Sequence, residues 1–187
     1  MLIETKTSFL SCQTLPFEMT ACVEEITGKL LEKPPIVIFG KTVHQRRNIG
    51  FFSNTSKGYR YSNQIALSQP LTPALTLLLD TVNEMYKAEF NGILVNHYVD
   101  GNDYISAHSD DETMLDPVGV VAVSYGAVRK FRIREKASGT IVKDIPMVSG
   151  QILHMGGSFQ KEFTHEIPVE KKIKEARFSF TFRRHKE

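Results

Sequence analysis

His108 and Asp110 flank Ser109, and far downstream come His165 and then Arg177 and Arg183. Two imidazoles and one carboxylate are the facial ligand set of a non-haem Fe(II) site, which leaves coordination positions open for other ligands. A guanidinium grips a carboxylate through two parallel hydrogen bonds that a lysine does not reproduce. The order His-x-Asp, His, Arg therefore points to an iron oxygenase whose cosubstrate is a small dicarboxylate, 2-oxoglutarate.

A lone His-x-Asp is as readily a histidine hydrogen-bonded to a neighbouring carboxylate, so its company decides. On an extended segment His108 and Asp110 project to the same side, and the third ligand must come from another strand, with a double-sheet barrel placing distant strands across a shared cavity. The chain holds six histidines, at 44, 97, 108, 154, 165 and 185. His165 lies in the strand-like run Phe163-Thr164-His165-Glu166-Ile167-Pro168, and His97 and His154 compete with it. On the last strand, period two gives one face Arg177, Ser179, Thr181 and Arg183, and the other Phe178, Phe180 and Phe182. A cationic, hydroxyl-bearing face backed by three phenylalanines suits a cavity wall.

The positioning elements follow from periodicity. Apolar residues at helical spacing predict a helix over residues 16–31, ended by Pro34-Pro35, and a second amphipathic helix over 73–86. A short β-branched strand is predicted at 36–40, and 50–61 reads as strand or surface loop. From 92 onward the pattern is strands: 92–99, 118–125, 130–134, 140–147, 151–155, 163–167 and 176–183, with turn residues between most of them. The expected fold class is α+β, a double-stranded β-helix (jelly-roll) core with N-terminal helices packed on one sheet.

With 187 residues, 41% of them hydrophobic, the chain can bury one core, and residues 1–187 are expected to form a single domain. The net charge of +2 does not announce nucleic acid, but Arg46 and Arg47, and a run from Lys171 to Lys186, gather cations that can hold phosphates. Cys12 and Cys22 show no metal spacing, and no stretch is apolar enough to span a membrane. These features predict an intracellular protein, cytoplasmic or nuclear, and a monomer without membrane partners.

Three blocks carry a resemblance: Asn96-His97-Tyr98 through Tyr104 to His108-Ser109-Asp110-Asp111-Glu112, then Val123-Ser124-Tyr125-Gly126-Ala127-x-Arg129-x-Phe131, then Gly150-Gln151-Ile152-Leu153-x-Met155. With His165-Glu166-Ile167-Pro168 and the run Arg177 to Arg183, and in that order, they resemble the AlkB family of Fe(II)/2-oxoglutarate dioxygenases, closest to the branch that repairs alkylated bases in duplex DNA. The resemblance implies a catalytic core over 90–184 and a nucleotide-recognition lid over 36–65. It implies that His108, Asp110 and His165 hold Fe(II), and that Asn96, Tyr98, Arg177, Ser179 and Arg183 bind 2-oxoglutarate. The substrate-binding residues it suggests are Phe39 as a wedge, Arg46, Phe51, Tyr61 and His97, and Glu112 facing an exocyclic amino group. In the lid, Gln45 replaces the usual proline, and Phe51-Phe52 the usual Tyr-Gly. The implied activity is oxidative demethylation of 1-methyladenine and 3-methylcytosine in DNA, releasing formaldehyde, succinate and CO2. RNA or a protein side chain is the alternative substrate, and a non-catalytic nucleic-acid-binding module the alternative class.

Overall fold

The structure, a computed structural model, describes residues 1–38, 40–61, 64–110 and 117–185, with backbone only at 38, 59–61, 64 and 65. Before the first helix run β1 (Ile3–Glu4) and β2 (Ser8–Thr14); α1 (Thr20–Ile26) follows. Then come β3 (Pro35–Ile38), β4 (Lys41–His44), β5 (Asn48–Phe52), β6 (Gly58–Tyr61), β7 (Gln64–Gln69) and α2 (Pro73–Tyr86). The second half holds β8 (Gly92–Tyr98), β9 (Ile105–His108), β10 (Val120–Gly126), β11 (Arg129–Glu135), β12 (Ile141–Met147), β13 (Gln151–Gly157), α3 (Phe159–Glu162), β14 (Phe163–Ile167) and β15 (Arg177–Arg183).

α2 spans the expected residues because its ends are specified locally. Thr72 accepts from the Leu75 N–H, Pro73 opens the first turn, and Lys87 closes it in the left-handed conformation. α1 is shorter than expected. The chain leaves the helix at Thr27, and Gly28 takes a φ of +79°, so this glycine stops the helix well before the proline pair.

Strands β1-β2-β13-β10-β15-β8-β5-β7-β6 form one large sheet, β12-β11-β14-β9 a smaller one, and β3-β4 a separate hairpin. Period two divides each central strand between two cores. Ile93, Val95, Val121, Val123, Ile152, Phe180 and Phe182 pack against α1 and α2 through Met19, Ile26, Leu75, Leu78 and Val82. The opposite face carries Tyr98, Val120, Leu153 and Met155, which meet Phe131, Ile133, Ile145, Met147 and Ile167 of the small sheet. The result is three layers, helices on sheet on sheet, with the cleft in the second interface.

Two differences from the expected layout matter for the site. Residues 48–52, assigned above to a lid, form an inner strand of the large sheet, paired with β8 from Asn48↔His97 to Phe52↔Ile93. An eighth strand, β9, joins the expected seven beyond residue 92.

Candidate metal centre

β9 and β14 are antiparallel neighbours in the small sheet, and their register sets His108 directly opposite His165. Opposed side chains on adjacent strands are close neighbours, and the two imidazole centroids lie 4.4 Å apart. The third ligand thus comes from the adjoining strand, not from across the barrel as expected. Asp110 completes the group, and the ligand atoms of all three lie within 4.8 Å of one another. Among the described residues this is the single such group of His, Cys, Asp and Glu. The competing His154 is held elsewhere, with its Nε2 at 2.6 Å from the Val118 carbonyl and its ring between Phe9 and Tyr86.

Each ligand is oriented by a neighbour. His108 Nδ1 lies 2.8 Å from the Ser106 carbonyl; a carbonyl can only accept, so Nδ1 carries the proton and Nε2 keeps its lone pair. His165 stacks on Phe131 at 5.1 Å and 14° between ring planes. The Asp110 backbone N–H donates to Gln160 Oε1 (2.9 Å), the Ser109 hydroxyl to the Phe163 carbonyl (3.0 Å), and Arg183 Nη2 to Asp110 Oδ1 (2.5 Å). Gln160, on α3, carried no sequence signal, because its role depends on where a four-residue helix falls against the loop after β9.

These surroundings fix the charges a divalent cation requires. Burial alone would raise the Asp110 pKa, but Arg183 and the two imidazoles overcome it and hold the carboxyl well below the usual range. Burial, aided by His165, pushes His108 down to about 4, so its ring is neutral at physiological pH. A carboxylate with two imidazoles is the donor set of a facial Fe(II) site, and these residues fit that ion.

The rest of the cleft, about 630 Å³ including its open mouth, runs along the inner faces of β8, β10 and β15. Arg177, Ser179, Thr181 and Arg183 all line it, as do Asn96 and Tyr98, so period two placed the polar face of the last strand as expected. Arg177 is 2% exposed and donates from Nη2 to the Ser124 hydroxyl at 2.7 Å. Its Nε and Nη1 are buried with no hydrogen-bond partner among the described residues. Two orphaned guanidinium donors are what a carboxylate would satisfy, since buried polar groups are normally paired. Burial lowers the Arg177 pKa to about 10, leaving it charged at neutral pH. Tyr98 lies beneath it, ring centre 5.4 Å from the guanidinium carbon, and burial pushes its phenol up, keeping the hydroxyl protonated.

The suggested substrate residues fare unevenly. Phe51 is 0% exposed and packs with Leu94 and Ala66, against the position where Gly92 lacks a Cβ. The ring is enclosed on the sheet face that also carries Leu94 of the cleft wall. The expectation for His97 is corrected: one position from Asn96 and Tyr98, it faces the far side of the sheet and stacks on Phe178 at 4.2 Å. Arg46 is exposed beside the cleft, whereas Arg47, expected only as a phosphate contact, is buried in its wall. Phe39, Glu112 and the Tyr61 side chain lie outside the described residues.

Comparison with known proteins agrees with this geometry. The family described as the 2OG-Fe(II) oxygenase superfamily matches residues 16–183. The DNA oxidative demethylase ALKBH2 of Homo sapiens is 32% identical over 175 residues, covering 89% of this chain and 66% of the human protein. The chain thus spans just under two thirds of the human relative's length, and 72% of the mouse protein of the same name, also 32% identical over 89% of the chain. The alpha-ketoglutarate-dependent dioxygenase alkB homolog 3 of Rattus norvegicus is 35% identical over 67% of this chain and 46% of its own length. The solved structure of OsALKBH1 shares the fold, with a TM-score of 0.61 and 14% identity over 97% of this chain and all of that one. Matched along nearly its whole length, and with two histidines and an aspartate gathered at one point where they could hold a metal ion, the chain belongs to the 2OG-Fe(II) oxygenase superfamily and, within it, to the AlkB dioxygenases.

Proposed function

We propose that this dioxygenase demethylates 1-methyladenine and 3-methylcytosine in DNA, consuming 2-oxoglutarate and O2 and releasing formaldehyde, succinate and CO2. The observation that carries the reading is one cleft holding both the His108/Asp110/His165 cluster and the unpartnered Nε and Nη1 of Arg177. The printed names of the ALKBH2 relatives support DNA as the substrate.

When bound, Fe(II) supplies the oxidising chemistry that no side chain of the cleft can. His108 Nε2, Asp110 and His165 would hold it. Arg183 keeps Asp110 ionised and aimed. Arg177 takes the far carboxylate of 2-oxoglutarate, with the protonated Tyr98 hydroxyl as a second donor, while Asn96, Ser179 and Arg183 border its other end. Leu94, Phe131, Leu153 and Met155 exclude water around it. A base in a stacked duplex cannot reach this depth and must be flipped, at a cost of a few kcal/mol that is least for a damaged base. Phe39, Tyr61 and Glu112 are proposed to wedge, stack on and hydrogen-bond that base. The exposed Arg46, Lys130, Lys171 and Lys172 are proposed to grip phosphates without reading sequence.

The test is formaldehyde release, in the presence of Fe(II) and 2-oxoglutarate, from oligonucleotides carrying each lesion in single-stranded DNA, duplex DNA and RNA, alongside methylated peptides. Turnover on methylated DNA is expected. Turnover confined to RNA or to peptides overturns the substrate assignment, and no turnover on any methylated substrate overturns the demethylase reading.

A further inference from the structure

Arg47 occupies a place that phosphate binding does not explain. It connects β4 to β5 and is only 7% exposed. Its backbone surroundings are pinned from several directions. The Gln45 N–H donates to the Pro34 carbonyl (3.0 Å), the Tyr104 N–H to the Arg46 carbonyl (3.0 Å), and Asn48 Oδ1 accepts from the Lys33 N–H (3.2 Å). From that fixed base the side chain reaches inward, and its Nε donates to Asn96 Oδ1 at 2.7 Å.

This bond has a consequence for Asn96. A carboxamide offers one accepting and one donating end, and which end faces a ligand depends on its other partner. Arginine has no acceptor, so only the carbonyl oxygen of Asn96 can face Arg47. The amide N–H pair is thereby turned away from Arg47, on a residue that lines the cleft between Arg47 and Ser179. We infer that Arg47 is a positioning residue for the cosubstrate: it locks the Asn96 carboxamide so that donors, not an acceptor, face an anionic oxygen of 2-oxoglutarate. The inference rests on the reading that Asn96 binds 2-oxoglutarate. A flipped amide would set a carbonyl against a carboxylate and repel it.

The experiment is calorimetric binding of 2-oxoglutarate to the Mn(II)-loaded protein, without turnover, in Arg47→Met, Arg47→Lys, Asn96→Ala and the double variant Arg47→Met/Asn96→Ala. Arg47→Met is expected to weaken 2-oxoglutarate binding about fivefold, the loss of one oriented hydrogen bond, with Mn(II) affinity unchanged. Arg47→Lys, still a donor, is expected to recover part of the loss. In the Asn96→Ala background Arg47→Met is expected to add nothing, because the two act through one bond. A full additional loss there would overturn the inference, as would an equal loss of Mn(II) affinity. If Asn96→Ala alone leaves 2-oxoglutarate affinity unchanged, the cosubstrate role of Asn96 has failed first, and the inference with it. Should Arg47→Met not fold, Asn96→Asp replaces it. Arg47 would hold that carboxylate in place with no N–H to offer, so affinity must fall below that of Asn96→Ala, and an equal or higher affinity overturns the idea.

Discussion

Arg177 carries the clearest single-residue expectation. Its planar guanidinium holds Nε and Nη1 with no hydrogen-bond partner among the described residues, and a lysine ammonium cannot reproduce that flat array of donors. Arg177→Lys is therefore expected to raise the KM for 2-oxoglutarate by about tenfold or more, the worth of a charge-assisted hydrogen bond, with a smaller effect on kcat. Steady-state kinetics at varied 2-oxoglutarate would check this, and an unchanged KM would remove Arg177 from the cosubstrate site. The sequence announced Arg177 because alternation along one strand is a local property. It could not rank His165 above His97 and His154, nor show that Arg47 points inward and Phe51 is enclosed. Those outcomes depend on which strands become neighbours.

At the scale of elements, the site is the product of the β9–β14 pairing, and Arg129 secures the approaches to both strands. Its buried guanidinium donates to the carbonyls of Asp100 (3.0 Å) and Asp103 (2.8 Å) ahead of β9, to that of Pro168 (2.7 Å) after β14, and to Glu170 (3.2 Å). The two loops also interlock directly. The Glu170 N–H donates to the Gly101 carbonyl and the Gly101 N–H to that of Ile173, and a Cβ on Gly101 would sit 2.0 Å from the Glu170 carbonyl oxygen. Arg129→Met strips a donor from three carbonyls, that of Asp103 buried and the other two half-buried, and the expected cost is about 3 kcal/mol of stability, read by urea unfolding. Mn(II) affinity should fall with it, since both ligand strands lose their common anchor; a variant of full stability would show the clamp to be dispensable. β9 itself escaped the strand pattern because four residues facing partly to solvent leave no periodic signature, although extension across His108 and Asp110 was the premise of the metal reading.

Across the whole molecule, stability and chemistry occupy opposite faces of one sheet. Phe180 is fully buried on the helix side, so Phe180→Ala is expected to cost about 3–5 kcal/mol while leaving the KM for 2-oxoglutarate nearly unchanged. A large rise in KM for a folded variant would mean that the two faces are coupled. Acid should act on the fold through its histidines. Burial lowers the pKa of His97, His154 and His185, and takes His108 to about 4. A histidine whose pKa is depressed by folding binds its proton more tightly when unfolded, so stability is lost as pH falls below the unfolded value of about 6.5 and continues to fall toward about 4. The thermal midpoint of the metal-free protein is expected to drop steadily from pH 7 to pH 5, and a flat profile would mean that these rings are already solvated in the fold.

The sequence alone determined what a local pattern can hold: the ends of α2, the two-faced last strand, and the residue types of an iron-and-dicarboxylate site, because side-chain direction within an element follows from its period. Only the tertiary structure decided that His165 stands opposite His108, that Arg47 lies in the cleft wall, that Phe51 is enclosed, and that His97 turns from the cleft. Strand order and register are set by long-range burial in two cores at once, and no window of neighbouring residues contains that information.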